Sequence, residues 1–265
     1  MMIVEQIWTG NSLRNFNYLV ACSETGDALA IDPLDFQKCL NRAQHNGWNI
    51  TQIVNTHEHG DHIGGNGPMI EATGAKLLAH AGAGDRISGV DRGLKKDDVI
   101  KVGTSVELQA MDTPGHTMSH VCLRTISDEP ALFSGDTLFN AGAGNCHQGG
   151  HPEQLYETFV SQLHDLDPNT KIYPGHDYLT NNLAFTLNRE PDNDTARQLL
   201  AKLEVSHDPE KPMVTTIGLE REVNSFFRLT SPTIVRELRA VFPDLDKRPD
   251  TRTVFLKLRE LRNSW

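Results

Sequence analysis

Several things are scarce in this chain, and each scarcity closes off a class of function. Its four cysteines (Cys22, Cys39, Cys122 and Cys146) are scattered without Cys-x-x-Cys spacing, so they read as reduced thiols of a cytoplasmic protein rather than a disulfide framework. No apolar run approaches the length of a membrane span, and the opening Met1-Met2-Ile3-Val4-Glu5 lacks the basic-then-apolar pattern of a signal peptide. Positive charge is in deficit: 25 Lys and Arg against 35 Asp and Glu leave a formal charge of −10. That balance, with no basic, aromatic-rich stretch, argues against nucleic acid or an anionic membrane as partner. An anionic substrate would need local arginines or metal to hold it. No short-period repeat and no low-complexity stretch is present. At 265 residues and 38% hydrophobic content, the expectation is a soluble globular protein of one large domain, or one domain plus a smaller one.

What is present in excess is a cluster. The stretch from Ile53 to Gly65 packs His57, Glu58, His59, Asp61 and His62 into six positions, directly after an apolar run ending at Val54. Buried charge is costly unless it is paired or bound to metal, so imidazole and carboxylate gathered beside a core strand point to a cation. His57 and His59 stand at i and i+2, which on an extended segment puts both rings on one side. Asp61 and His62 follow at a turn that Gly60 allows to be sharp. Neutral imidazole and carboxylate suit zinc, iron or manganese, and no thiolate is nearby to demand zinc alone.

The rest of the chain supplies more donors at strand ends. Residues 3–8, 17–22 and 28–31 read as strands, 36–43 as a helix closed by Gly47, 50–54 as a strand, 68–72 as a helix stopped by Gly74, and 75–79 as a strand. Alternation of this kind indicates an α/β layered protein. The polar segment from Gly82 to Lys101 reads as a surface excursion. Strands at 105–111, 121–126 and 131–134 follow. Their ends lead to Thr113-Pro114-Gly115-His116 and Ser134-Gly135-Asp136, and Tyr173-Pro174-Gly175-His176 repeats the device. Rigid scaffolds display chemistry on such loops. From Asp177 no convincing strand follows, and helical periodicity recurs at 179–188, 195–205, 233–241 and 251–263. A domain boundary is therefore expected between a 1–176 metal-binding domain and a 177–265 helical domain. His45, His80, His164 and His207 read as solvated or packed rings. His120, Thr56 and Asp32 are candidates for hydrogen bonds that orient the ligands, His120 toward a ligand carboxylate.

Thr-His-x-His-x-Asp-His, standing here as Thr56 to His62, resembles the signature of the metallo-β-lactamase superfamily. Within it, the whole chain to Trp265 resembles glyoxalase II, the hydroxyacylglutathione hydrolases. The fold this implies is a four-layer αβ/βα sandwich with a helical C-terminal domain. The resemblance assigns His57, His59 and His116 to one divalent ion and Asp61, His62 and His176 to another, with Asp136 bridging. Zinc is expected ahead of iron or manganese. It further implies that Asp61 orients an attacking hydroxide shared by the two ions. The implied reaction cleaves a 2-hydroxyacylglutathione thioester such as S-D-lactoylglutathione, a step of methylglyoxal detoxification, in a cytoplasmic monomer or weak oligomer. Leu132 to Phe139 and Pro174 to Tyr178 match the family segments around the bridging aspartate and the last histidine. Tyr178 then matches a glutathione-contacting tyrosine. Arg259 and Arg262, on one face of the last helix, resemble the Arg-x-x-Lys pair that holds a glutathione carboxylate.

Departures from the family pattern fall on the substrate side. Where the family carries a lysine and, two positions on, a tyrosine for glutathione, this chain has Asn145 and His147. Neighbouring His151 is surplus once seven ligands fill two sites. Rivals of the same superfamily are a mononuclear-iron persulfide dioxygenase, disfavoured by the long helical extension, and a lactonase or other small-molecule hydrolase. A closed structural zinc site is disfavoured because such sites are usually thiolate-rich.

Overall fold

The computed structural model describes residues 1–127, 129–206 and 208–265. Two six-stranded sheets form its centre. The first runs in chain order: β1 (Met2–Trp8), β2 (Phe16–Cys22), β3 (Asp27–Ile31), β4 (Asn49–Val54), β5 (Lys76–His80) and β6 (Arg92–Leu94). β1 to β3 pair antiparallel, and β3 to β6 pair parallel. The parallel steps need crossovers. Two of these contain α1 (Phe36–Asn46) and, after the one-turn α2 (Gly60–Ile63), α3 (Asn66–Thr73). Asp35 caps α1 by accepting from the Lys38 amide, and Gly47 closes it in the left-handed region at φ 69°.

The second sheet takes β7 (Val99–Val102), β8 (Val106–Asp112), β9 (Val121–Thr125) and β10 (Ala131–Gly135) as an antiparallel meander. A small hairpin of β11 (Leu138–Phe139) and β12 (Gly142–Ala143) stands outside it. β13 (Lys171–Pro174) then returns parallel to β10, and β14 (Thr215–Thr216) pairs antiparallel to β13 at the edge. Between the hairpin and β13 lies α4 (Pro152–Thr158). The C-terminal part carries α5 (Leu179–Arg189), α6 (Asp194–Ser206), α7 (Ile217–Val223), α8 (Pro232–Val241) and α9 (Thr251–Arg262).

Burial sorts these elements into four layers. Phe16, Tyr18, Val20, Leu29 and Val54 of the first sheet meet Ile100, Leu108, Leu123 and Phe133 of the second in one shared core. The outer face of the first sheet (Leu19, Ala21, Ile53 and Leu77) buries Cys39 and Ala43 of α1 and Met69 of α3. The outer face of the second (Met111, Cys122, Leu132 and Ile172) buries Leu155 of α4 with Phe185, Leu238, Phe255 and Leu258 of the C-terminal helices. This is the αβ/βα sandwich, with both sheets covered on both faces as parallel pairing demands.

Three expectations need adjusting. The polar stretch from Gly82 to Lys101 is not wholly an excursion, because β6 and the start of β7 lie in it; both are short edge strands, too brief for their alternation to stand out. A short strand, β14, does follow Asp177, and two residues leave no periodic signal. Asn55 to His59 is irregular rather than extended, and Gly60 opens the helical turn α2 without a positive φ.

Candidate metal centre

All seven predicted donors converge at one end of the sandwich. His57, His59 and His116 form one group, Asp61, His62 and His176 a second, and His57, His62 and Asp136 a third that joins them. Within the first group His59 Nδ1 lies 3.0 Å from His57 Nε2 and 3.1 Å from His116 Nε2. In the second, Asp61 Oδ2 lies 3.6 Å from His62 Nε2 and 3.5 Å from His176 Nε2. Asp136 sits between, with Oδ2 3.5 Å from His116 Nε2 and 3.2 Å from His176 Nε2, and Oδ1 3.4 Å from His62 Nε2. Close approach requires small residues beside it. A Cβ on Gly175 would fall 2.2 Å from Asp136 Oδ1, and one on Gly135, at φ 46°, only 2.6 Å from Thr56 Oγ1.

The outward-facing ring nitrogens decide the tautomers. His116 Nδ1 donates to the Asn145 carbonyl at 2.7 Å, His59 Nε2 to the Gln148 carbonyl at 3.0 Å, and His176 Nδ1 to the Leu13 carbonyl at 2.7 Å. A carbonyl can only accept, so each of these nitrogens carries the proton. His62 Nδ1 donates to Asp32 Oδ2 at 2.9 Å. Thr56 donates its hydroxyl to the same carboxylate at 2.7 Å, which leaves its oxygen to accept from His57 Nδ1 at 3.0 Å. The inner nitrogens of five imidazoles thereby face one another and two carboxylates, and those of His57, His59 and His116 meet as lone pairs with no donor among them. His62 Nε2 and Asp136 Oδ1 are buried with no hydrogen-bond partner among the described residues. Such an arrangement is strongly unfavourable unless cations occupy it. The donor set fits a pair of divalent ions.

Electrostatics agree. Burial, followed by the neighbouring His62, holds His57 well below its usual range, and burial takes His116 down to about 4. Both rings are neutral and able to ligate near pH 7. Burial opposes charge on His62 as well, but Asp136 and Asp32 outweigh it and push its pKa up to about 9. Burial would raise Asp136, yet His176 and His62 prevail and keep its carboxyl well below the ordinary range. These carboxylates demand positive charge beside them.

The other sequence candidates divide. Asp32 and Thr56 hold ligand rings as expected; Asp32 does so from φ 49°, a region costly for any residue but glycine. His120 does not reach a ligand carboxylate. Its Nε2 instead accepts from the Asp136 backbone amide at 3.2 Å, and its ring stacks on His57. His45, His151 and His164 are exposed, His80 faces Asp112 at 3.3 Å, and His207 lies outside the described residues. Glu58 turns away from the cluster and accepts from Thr117 and Ser119, bracing the His116 loop. Sequence reading missed Asn15, whose Nδ2 donates to Asp61 Oδ2 at 3.0 Å. A lone asparagine between two strands carries no signal for this.

A cavity of about 260 Å³ adjoins the cluster, lined by Phe139, Ala143, Asn145, His147, Tyr178, Arg259, Arg262, Asn263 and Trp265. All five predicted substrate contacts are therefore on one wall system. Tyr178 stacks on His176 with ring centroids 4.9 Å apart, and its hydroxyl donates to Leu13 O. Arg262 is half-buried and donates to Asn182. Arg259, only 4% exposed, spends Nη1 on the carbonyls of Ala143 and Gly144. Burial, then the nearby Arg262, lowers its pKa to about 10.

Residues 21–176 match the family model of the metallo-β-lactamase superfamily, and residues 177–265 match that of the hydroxyacylglutathione hydrolase C-terminus. The chain is 63% identical to the hydroxyacylglutathione hydrolase of Polaromonas sp. and 62% to that of Nitrosococcus oceani, with 100% of this chain and of each relative covered. Among solved structures, ETHE1 from Myxococcus xanthus superposes with a TM-score of 0.68 at 23% identity, covering 98% of this chain and 99% of that one. That likeness establishes the shared fold. On the family models and the full-length relatives, the chain belongs to the hydroxyacylglutathione hydrolases of the metallo-β-lactamase superfamily.

Proposed function

We propose that this enzyme hydrolyses thioesters of glutathione with 2-hydroxy acids, S-D-lactoylglutathione foremost, releasing glutathione and the free acid. The observation that carries this reading is a two-cation donor set opening directly beside a cavity edged by two arginines. The names of the two full-length relatives support the substrate class. His57, His59 and His116 would hold one ion, Asp61, His62 and His176 the other, and Asp136 both. When bound, the ions would supply Lewis acidity for the thioester carbonyl and lower the pKa of water toward neutrality. Zinc is the proposed metal; the sulfur-free donor set also suits iron or manganese.

The chain's own residues do the rest. Asp61, fixed by Asn15 and partly open to solvent, orients the attacking water. Asp136 keeps its negative charge between the two histidine groups. The departing thiol has a reference pKa of about 8.5, so no dedicated general acid is required. Arg262, Tyr178, Asn145 and His147 border the space for the tripeptide. Because Arg259 is largely committed to backbone carbonyls, more of the carboxylate binding falls on Arg262. Division into a metal-binding part, 1–176, and a substrate-binding part, 177–265, is supported by family models that abut at that point. A cytoplasmic site of action fits a chain in which no described helix is long and apolar enough to cross a membrane.

The test is elemental analysis of purified protein beside a substrate panel. Two equivalents of divalent metal per chain are expected, with S-D-lactoylglutathione cleaved far faster than a simple thioester lacking the tripeptide or a lactone. Equal rates on the simple thioester would remove glutathione as the recognised group.

A further inference from the structure

The segment Asn140 to Gln148 is held from two sides, and its two halves face different partners. Its first five residues are gripped through the backbone by the C-terminal helices. Asn182 Nδ2 of α5 donates to Asn140 O at 2.9 Å, and the Ala141 amide donates to Glu220 Oε2 of α7 at 2.8 Å. Asn224 Nδ2, just past α7, donates to Gly142 O at 3.1 Å. Arg259 of α9 then donates from Nη1 to Ala143 O at 2.8 Å and to Gly144 O at 2.9 Å. From the next residue the carbonyls turn the other way. Asn145 O accepts from His116 and Gln148 O from His59. The passage between the halves is tight, since a Cβ on Gly144 would lie 1.8 Å from Asp136 O.

Resting on the two-ion reading above, we propose that Arg259 is a positioning residue for the His57/His59/His116 group. By fixing the carbonyls of Ala143 and Gly144 it aims the stretch that follows, whose Asn145 and Gln148 carbonyls set the tautomer and tilt of His116 and His59. The buried guanidinium suits this task. It is rigid, charged, and joins two consecutive carbonyls with one nitrogen while Nε is tied to Asn263 Oδ1 at 3.1 Å. Arg259 does not reach the partners of His62 or His176: their outward nitrogens are taken by Asp32 and by the Leu13 carbonyl, beside which a different guanidinium, that of Arg14, donates to the Asp177 carbonyl and carboxylate. Disturbing Arg259 should therefore weaken one metal position and spare the other. Loss of a partner that orients a ligand typically lowers metal affinity by about 10- to 100-fold.

The test is competition of zinc-loaded full-length protein against a chromophoric chelator, resolving the two equivalents, alongside KM, kcat and thermal unfolding. Arg259→Ala is expected to release one zinc at about 10-fold lower chelator concentration or less, with kcat falling as well as KM rising. Arg262→Ala should retain both zinc affinities while raising KM. Wild-type zinc affinities in a folded Arg259→Ala, with KM alone changed, would overturn the proposal and return Arg259 to substrate binding. Should that variant fail to fold, Arg259→Lys decides. Its ammonium stops one bond short of Nη1 and has no second nitrogen for Asn263, so one zinc should loosen several-fold; unchanged affinities there would equally overturn it. A wild-type protein that binds fewer than two zinc ions would instead refute the two-ion reading itself.

Discussion

The two ligand groups share Asp136 and differ in almost everything else. The His57/His59/His116 group is all nitrogen and contributes no charge of its own, whereas the Asp61/His62/His176 group includes a carboxylate. Apart from His57, which leans on Thr56 and through it on Asp32, their outer hydrogen bonds come from opposite parts of the chain. His116 and His59 lean on carbonyls of the segment gripped by α5, α7 and α9. His62, His176 and Asp61 lean on Asp32, Leu13 and Asn15 of the N-terminal sheet and its first loop. A compact motif, Thr56 to His62, is thus shared between two adjacent positions that different halves of the fold keep in shape. The lesson is that donors adjacent in sequence need not be supported together.

The comparison breaks hardest at the one residue common to both groups. Asp136→Ala should weaken both metal positions by more than about a hundredfold each, beyond the usual cost of losing an orienting partner, and nearly abolish turnover. Full metal content with near-normal kcat would end the bridging assignment.

Glu220 probes the helical side. Burial pushes its carboxyl up to about 7 although Thr215, Asn224 and the Ala141 amide all donate to it. The folded chain therefore keeps this proton where the unfolded chain, near the ordinary 4.5, has lost it. The stability contributed by neutral Glu220 is complete below about pH 4.5 and is lost as pH rises through about 7. The swing is on the order of 3 kcal/mol. Glu220→Gln should remove it, so the difference in Tm between variant and wild type should change across that window. A difference independent of pH would show that Glu220 does not titrate there.

Asp32→Ala sharpens the contrast from the N-terminal side. It strips His62 directly and His57 only through Thr56. The second position should lose about 10- to 100-fold in affinity and the first less, as read by stepwise chelation. Equal losses would mean that Thr56 transmits the whole effect. The smallest change is Tyr178→Phe. Its hydroxyl shares the Leu13 carbonyl with His176, and removing one neutral hydrogen bond should cost about 0.5–1.5 kcal/mol, seen as a few-fold rise in KM. Unchanged KM and kcat would take Tyr178 out of the cleft.

Much of the scaffold was legible because burial writes periodicity into residue order. β2 is buried at every position, α1 shows its inward Cys39 and Ala43, and Gly47 and Gly74 mark helix ends by the left-handed geometry they adopt. β6, β14, α4 and α7 were not legible. Each is short or lies at an edge, and burial there comes from neighbours distant in sequence. Likewise His120 was readable as a partner of the centre, but its contact with the Asp136 amide rather than a carboxylate follows from the turn at Gly135.

By itself the sequence determined the donors: five histidines and two aspartates of suitable type, each beside a strand end, because only side chains bring imidazole and carboxylate. Tertiary structure decided which nitrogen of each ring faces inward, since that depends on the partner of the other nitrogen. Three of those partners are the carbonyls of Leu13, Asn145 and Gln148. A carbonyl is common to every residue and leaves no mark in the order of side chains. Arg259 shows the same division. Its charge and helical spacing are plain in the sequence, while packing alone turns its guanidinium onto the Ala143 and Gly144 carbonyls.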